Sequence, residues 1–103
     1  MQGYQLKPSP IHGQGVFTTK KFQAKENIDL GIVFIFWTFP IVTSHFGRWL
    51  NHSYQPNGEL AWQDGKWYIR AIEDIEPDEE ITINYDCTPW YIKKPDFQVL
   101  NKN

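Results

Sequence analysis

Arg48–Asn57 reads RWLNHSYQPN, with two asparagines, a histidine and a serine crowded around Pro56. So much hydrogen-bonding capacity in one short segment makes either a plain surface turn or a built site. Asn, Ser and Pro all favour turns, the first two because their side chains bond nearby backbone. Asn51-His52-Ser53 is formally a glycosylation sequon, but no signal peptide precedes it, and we read it otherwise.

The flanking segments are strand-like. IDLGIVFIFWTF, Ile28–Phe39, is rich in β-branched and aromatic residues and lacks helical spacing, so it predicts one or two strands. In ELAWQDGKWYIRAI, Glu59–Ile72, the Asp64-Gly65 pair lies between β-formers and predicts a hairpin. IEPDEEITINYD, Ile75–Asp86, reads as a proline turn followed by a strand. Ile81, Ile83 and Tyr85 are expected on one face of that strand, and Thr82, Asn84 and Asp86 on the other. YQLKPSPIHGQGVF, Tyr4–Phe17, reads as strand, loop, strand. Helix is expected only as a turn or two around His45–Leu50. Asp78-Glu79-Glu80 follows Pro77 and reads as a solvated turn with no catalytic role.

Composition narrows the function classes. The chain has 103 residues, which suits one domain, and a formal net charge of −2. No basic stripe with interleaved aromatics is present, which disfavours direct nucleic-acid binding. One cysteine, Cys87, permits no intramolecular disulfide and no cysteine-based zinc site, and the three histidines lack metal-ligand spacing. The apolar run Ile32–Val42 is too short to span a bilayer, so a soluble, intracellular protein is expected. Aromatic residues make up 17% of the chain, enough to line a groove or a partner surface as well as a core.

Three segments stand in order: HGQGVF (His12–Phe17), RWLNHSYQPN, and PDEEITINYD (Pro77–Asp86). In order, spacing and content they resemble the Gly-x-Gly, Asn-His-Ser…Pro-Asn and Glu-Glu-Ile-Thr…Tyr motifs of the SET-domain protein lysine methyltransferases. The resemblance implies a mostly β SET-domain (β-clip) fold of short strands, with a C-terminal pseudoknot and very little helix. It implies one minimal SET domain over 1–103, with a core of about 6–90 and a tail, 91–103, that closes the site. The short segment between Phe17 and Arg48 makes the chain similar to the stripped-down SET proteins of viruses and phages, with the host cytoplasm as the implied location.

The same resemblance implies methyl transfer from S-adenosylmethionine to a lysine presented by a protein substrate, with S-adenosylhomocysteine as the product and no metal. His12, Gly13 and Gln14 match the loop that cradles the cofactor. Asn51 and His52 match the pair that grips it, Arg48 a residue near its methionine end, and Trp90 a tail residue that packs against it. Tyr85 matches the catalytic tyrosine. Phe17, Tyr54 and Tyr91 are assigned to the substrate channel, and Phe97 is a further aromatic available to close the sites. Gln14, where the family often has an aromatic, and Tyr54, where many members have Cys, depart from the pattern. Surplus aromatic surface, and pairing among minimal viral relatives, lead us to expect a homodimer. Two alternatives stay open: a catalytically inactive SET-fold binding protein, and an unrelated small β-barrel that binds peptide through an aromatic groove.

Overall fold

The computed structural model describes residues 3–36 and 38–89. Their regular structure is eight short strands: β1 (Tyr4–Pro8), β2 (Gln14–Thr18), β3 (Asn27–Ile35), β4 (Phe39–Val42), β5 (Asn51–His52), β6 (Gly58–Gln63), β7 (Lys66–Ala71) and β8 (Glu80–Ile83). Two short 3-10 turns, Gly47–Trp49 and Tyr85–Cys87, are the helical content of the described residues. Among these residues no helix is long and apolar enough to cross a membrane.

The β6–β7 hairpin forms where expected. Asp64 and Gly65 both adopt positive φ, 52° and 78°, as the tight turn demands, and Gln63 pairs with Lys66 directly beneath them. The Ile28–Phe39 run folds as parts of two strands. β3 pairs with β4 on one side and β7 on the other, giving a sheet of order β4-β3-β7-β6.

The second sheet has the order β1-β2-β8-β5. In it β8 lies between β2, to which it is antiparallel, and β5, to which it is parallel. Parallel neighbours need a crossover connection. Here the chain from β5 to β8 makes it by way of the β6–β7 hairpin in the other sheet. This brings the two motif segments side by side, with Asn51 opposite Thr82 and His52 opposite Ile83. Asn57, the last residue of the opening segment, reinforces the junction. Its amide Nδ2 donates to Glu80 O at 2.8 Å, and its Oδ1 accepts from Thr82 N at 2.9 Å.

Both sheets contribute to one buried cluster that includes Val16, Phe22, Ile32, Phe46, Leu50, Ile69, Ile75, Ile81, Ile83 and Tyr85. The alternation expected through Tyr85 stops early. Strand β8 ends at Ile83, because the Asn84 side chain accepts from Asp86 N at 2.9 Å and caps a 3-10 turn instead. Thr82, expected on a polar face, is also buried, since β8 is a central strand flanked on both sides.

A polar cluster also links the two sheets, between β1 and β3. The Tyr4 hydroxyl donates to Asp29 Oδ2, which His45 Nε2 approaches at 3.3 Å. Burial, then the bond to Asp29 and its charge, push the Tyr4 phenol far above its ordinary value. The folded state therefore holds this proton more tightly than the unfolded chain does. That stabilisation is complete below about pH 10 and is lost as pH rises towards the raised folded value. Denaturant titrations at about pH 8 and about pH 11 should show the native chain losing about 1 kcal/mol more than Tyr4→Phe. Equal losses in the two proteins would refute the assignment.

Candidate functional site

Asn51 and His52 are successive residues of β5, so their side chains leave it on opposite faces. Two hydrogen-bond networks follow, one on each side of the strand.

On the first side the Asn51 amide is fully buried. Its Nδ2 faces Glu80 Oε2 at 2.8 Å, Ser9 Oγ and His12 O at 3.1 Å, and Gln14 O at 3.3 Å. Two N–H groups thus serve four acceptors, three of them on or beside the β1–β2 loop. That loop is closed by Ser9 N donating to Gly13 O at 2.8 Å, and Gly13 turns it with a φ of 48°. The Ser9 hydroxyl lies 2.8 Å from each Glu80 carboxylate oxygen and accepts from Ile11 N at 3.0 Å. Buried in this way, Asn51 is not available as a glycosylation acceptor.

On the second side His52 Nδ1 accepts from Tyr85 N at 3.0 Å, which leaves the proton of the neutral ring on Nε2. The His52 ring meets Tyr54 edge-on at a centroid distance of 4.3 Å and lies 5.1 Å from the Tyr85 ring. Tyr85 is buried, and its hydroxyl donates to Leu50 O at 2.6 Å. The tyrosine is thereby bonded from both ends to the segment that carries Asn51 and His52.

His12, Gly13, Gln14, Asn51, His52 and Tyr85 thus belong to one continuous arrangement. Tyr54 joins it through His52 and is 74% exposed, so it stands at its outer edge. Arg48 does not join it among the described residues. Its guanidinium lies 5.0 Å from the Trp49 ring, and it lines a shallow groove with Pro40, Ile41, Val42 and Ser44. Nor does the Phe17 ring: it is half-buried and carries the Lys7 ammonium at 4.7 Å. Trp90, Tyr91 and Phe97 lie outside the described residues, as does the tail that would complete a pseudoknot.

The reading of Asp78-Glu79-Glu80 as a solvated turn needs correction at one position. Asp78 and Glu79 are exposed, but Glu80 is the first residue of β8 and faces inward against Ser9 and Asn51. The sequence clue was Gly15. A Cβ added there would lie 2.2 Å from Glu80 Oε2. The second glycine of the Gly-x-Gly pair makes room for a carboxylate. Ser9 and Glu80 are the two residues of the arrangement that sequence reasoning missed.

The groups around Asn51 are neutral amides and carbonyls, one hydroxyl and one carboxylate. Among the described residues that carboxylate makes no ion pair. No group of three or more His, Cys, Asp or Glu that could hold a metal ion occurs among the described residues.

No curated protein matches the chain in sequence. Among solved structures, the crystal structure of a Plasmodium falciparum protein provisionally assigned as a histone methyltransferase aligns with a TM-score of 0.69 at 18% identity. The alignment covers 87% of this chain and 98% of that one, a likeness of fold. The profile of the SET domain matches residues 31–86, more than half of the chain, a span that takes in the Asn51-His52 strand, Glu80 and Tyr85. Since that matched span holds the two strands whose pairing builds the arrangement, this chain belongs to the SET domain family.

Proposed function

We propose that this chain transfers a methyl group from S-adenosylmethionine to a lysine side chain of a protein substrate. When bound, that cofactor supplies a methyl group already activated on a sulfonium, so the protein needs no strong acid or base. Its part is to hold a neutral amine in line and to exclude water. The His12–Gln14 backbone and the Asn51-His52 strand would hold it, with Glu80 bonded to Ser9 and Asn51 behind them. The observation that carries the reading is Tyr85. A buried hydroxyl that donates to Leu50 O meets any further group as an acceptor, which suits orienting an incoming amine. Tyr54, at the outer edge, suits the channel mouth, and Trp90 and Tyr91 are assigned to closing the site.

Family membership removes the unrelated β-barrel alternative. The inactive SET-fold protein is separated by experiment. Calorimetric titration should detect S-adenosylmethionine binding, and a radiolabelled methyl donor added to a protein lysate should label protein lysines. Binding without labelling would favour the inactive reading. No binding at all would overturn the proposal. Mass spectrometry of the labelled proteins would then identify the substrate.

We include self-association in the same reading. The β3–β4 hairpin exposes Ile35, Phe36, Phe39 and Ile41 by 41%, 81%, 63% and 40%. Apolar side chains grouped this way suit a contact with a second copy. Light scattering should give a dimer mass for the native chain and a monomer mass for Phe39→Ser. A native chain that stays monomeric at high concentration would show the expectation to be wrong.

A further inference from the structure

We propose that Glu80 is a positioning residue that latches the two halves of the cofactor site together. This rests on the methyltransferase reading above. One half is the β1–β2 loop, the other the Asn51-His52 strand, and the two are far apart in sequence. The Glu80 carboxylate touches both: Ser9 Oγ at 2.8 Å from each of its oxygens, and Asn51 Nδ2 at 2.8 Å from Oε2. Ser9 in turn orients the loop through Ile11 N, and Asn51 holds the loop carbonyls of His12 and Gln14. Among the described residues, no cation competes for the carboxylate, so its acceptor capacity is directed at these two donors. Gly15 is the seat of the latch, since any side chain there would overlap Oε2. A loop fixed before the ligand arrives loses less freedom on binding, so the latch raises affinity without touching the reacting atoms.

The test uses Glu80→Gln, which keeps the shape and removes the charge and one acceptor, together with Gly15→Ala and the double variant Gly15→Ala/Glu80→Ala. Hydrogen exchange without cofactor reads the latch itself. Exchange at Ile11–Gln14 should quicken about tenfold in Glu80→Gln, while core amides of β3 and β7 keep native rates. Titration with S-adenosylmethionine should show affinity about tenfold weaker. Gly15→Ala should lower the melting temperature, and the double variant should recover it without recovering the affinity. Native exchange in the Glu80→Gln loop overturns the latch. So does a double variant no more stable than Gly15→Ala. If the native chain fails to bind the cofactor, the methyltransferase reading fails, while the exchange and melting measurements still decide whether Glu80 holds the loop.

Discussion

Tyr85→Phe is expected to slow methyl transfer by about 30- to 1000-fold while leaving S-adenosylmethionine affinity almost unchanged. A loss of that size is what one well-placed transition-state contact supplies, about 2–4 kcal/mol. The ring stays, so its place in the core with Leu50 and Ile83 is kept. The hydroxyl goes, and with it the donor to Leu50 O. A buried carbonyl left without its partner costs about 1–3 kcal/mol of stability, so the melting temperature should fall by several degrees. Rates must be compared well below that temperature. An interaction made mainly in the transition state lowers kcat and kcat/KM together. Product state should be read by mass spectrometry beside the rate. Native rate and native product state in the variant would make Tyr85 a core residue and nothing more.

Asn51→Ala has the second largest expected effect, and it acts on both fold and ligand. The variant removes one donor group from His12 O, Gln14 O and Glu80 Oε2 at once. Unpartnered polar groups of this kind cost about 1–3 kcal/mol in stability, and the loosened loop should weaken cofactor binding by a similar amount. Calorimetry on a sample shown by circular dichroism to be folded checks the second part, and native affinity there would count against the assigned site. Asn51→Asp separates amide chemistry from size. It sets a second carboxylate against Glu80, and two such charges in contact raise the pKa of one of them. The variant should therefore be less stable than Asn51→Ala at neutral pH and regain stability as pH falls into the carboxylate range, where the pair takes up a proton.

Much of this was legible in the sequence wherever the physics is local. The Asp64-Gly65 turn was, because few residues other than glycine and asparagine or aspartate accept positive φ at both turn positions. Strands β3 and β4 followed from a run of β-branched and aromatic side chains, although where that run divides did not. The His12–Gln14, Asn51-His52 and Tyr85 assignments came from motif resemblance, and the fold brings those segments together. Arg48 belonged to the same motif, yet its turn points it at Trp49 and the β4 groove.

By itself, then, the sequence determined the strand-rich class and the main turn, since each depends on neighbours along the chain; that the three motif segments would meet was implied only by their resemblance to a family. Only the tertiary structure decided which side chains in those segments face one another. Glu80 shows the difference. Locally it ends an acidic turn and reads as solvated; in the fold it bonds Ser9, a residue 71 positions earlier. That contact depends on β8 lying between β2 and β5 in one particular register, with Glu80 opposite Phe17 and its carboxylate reaching over Gly15. A one-residue slip would turn Glu80 to the other face of the sheet, and no property of the local sequence near Glu80 records that choice.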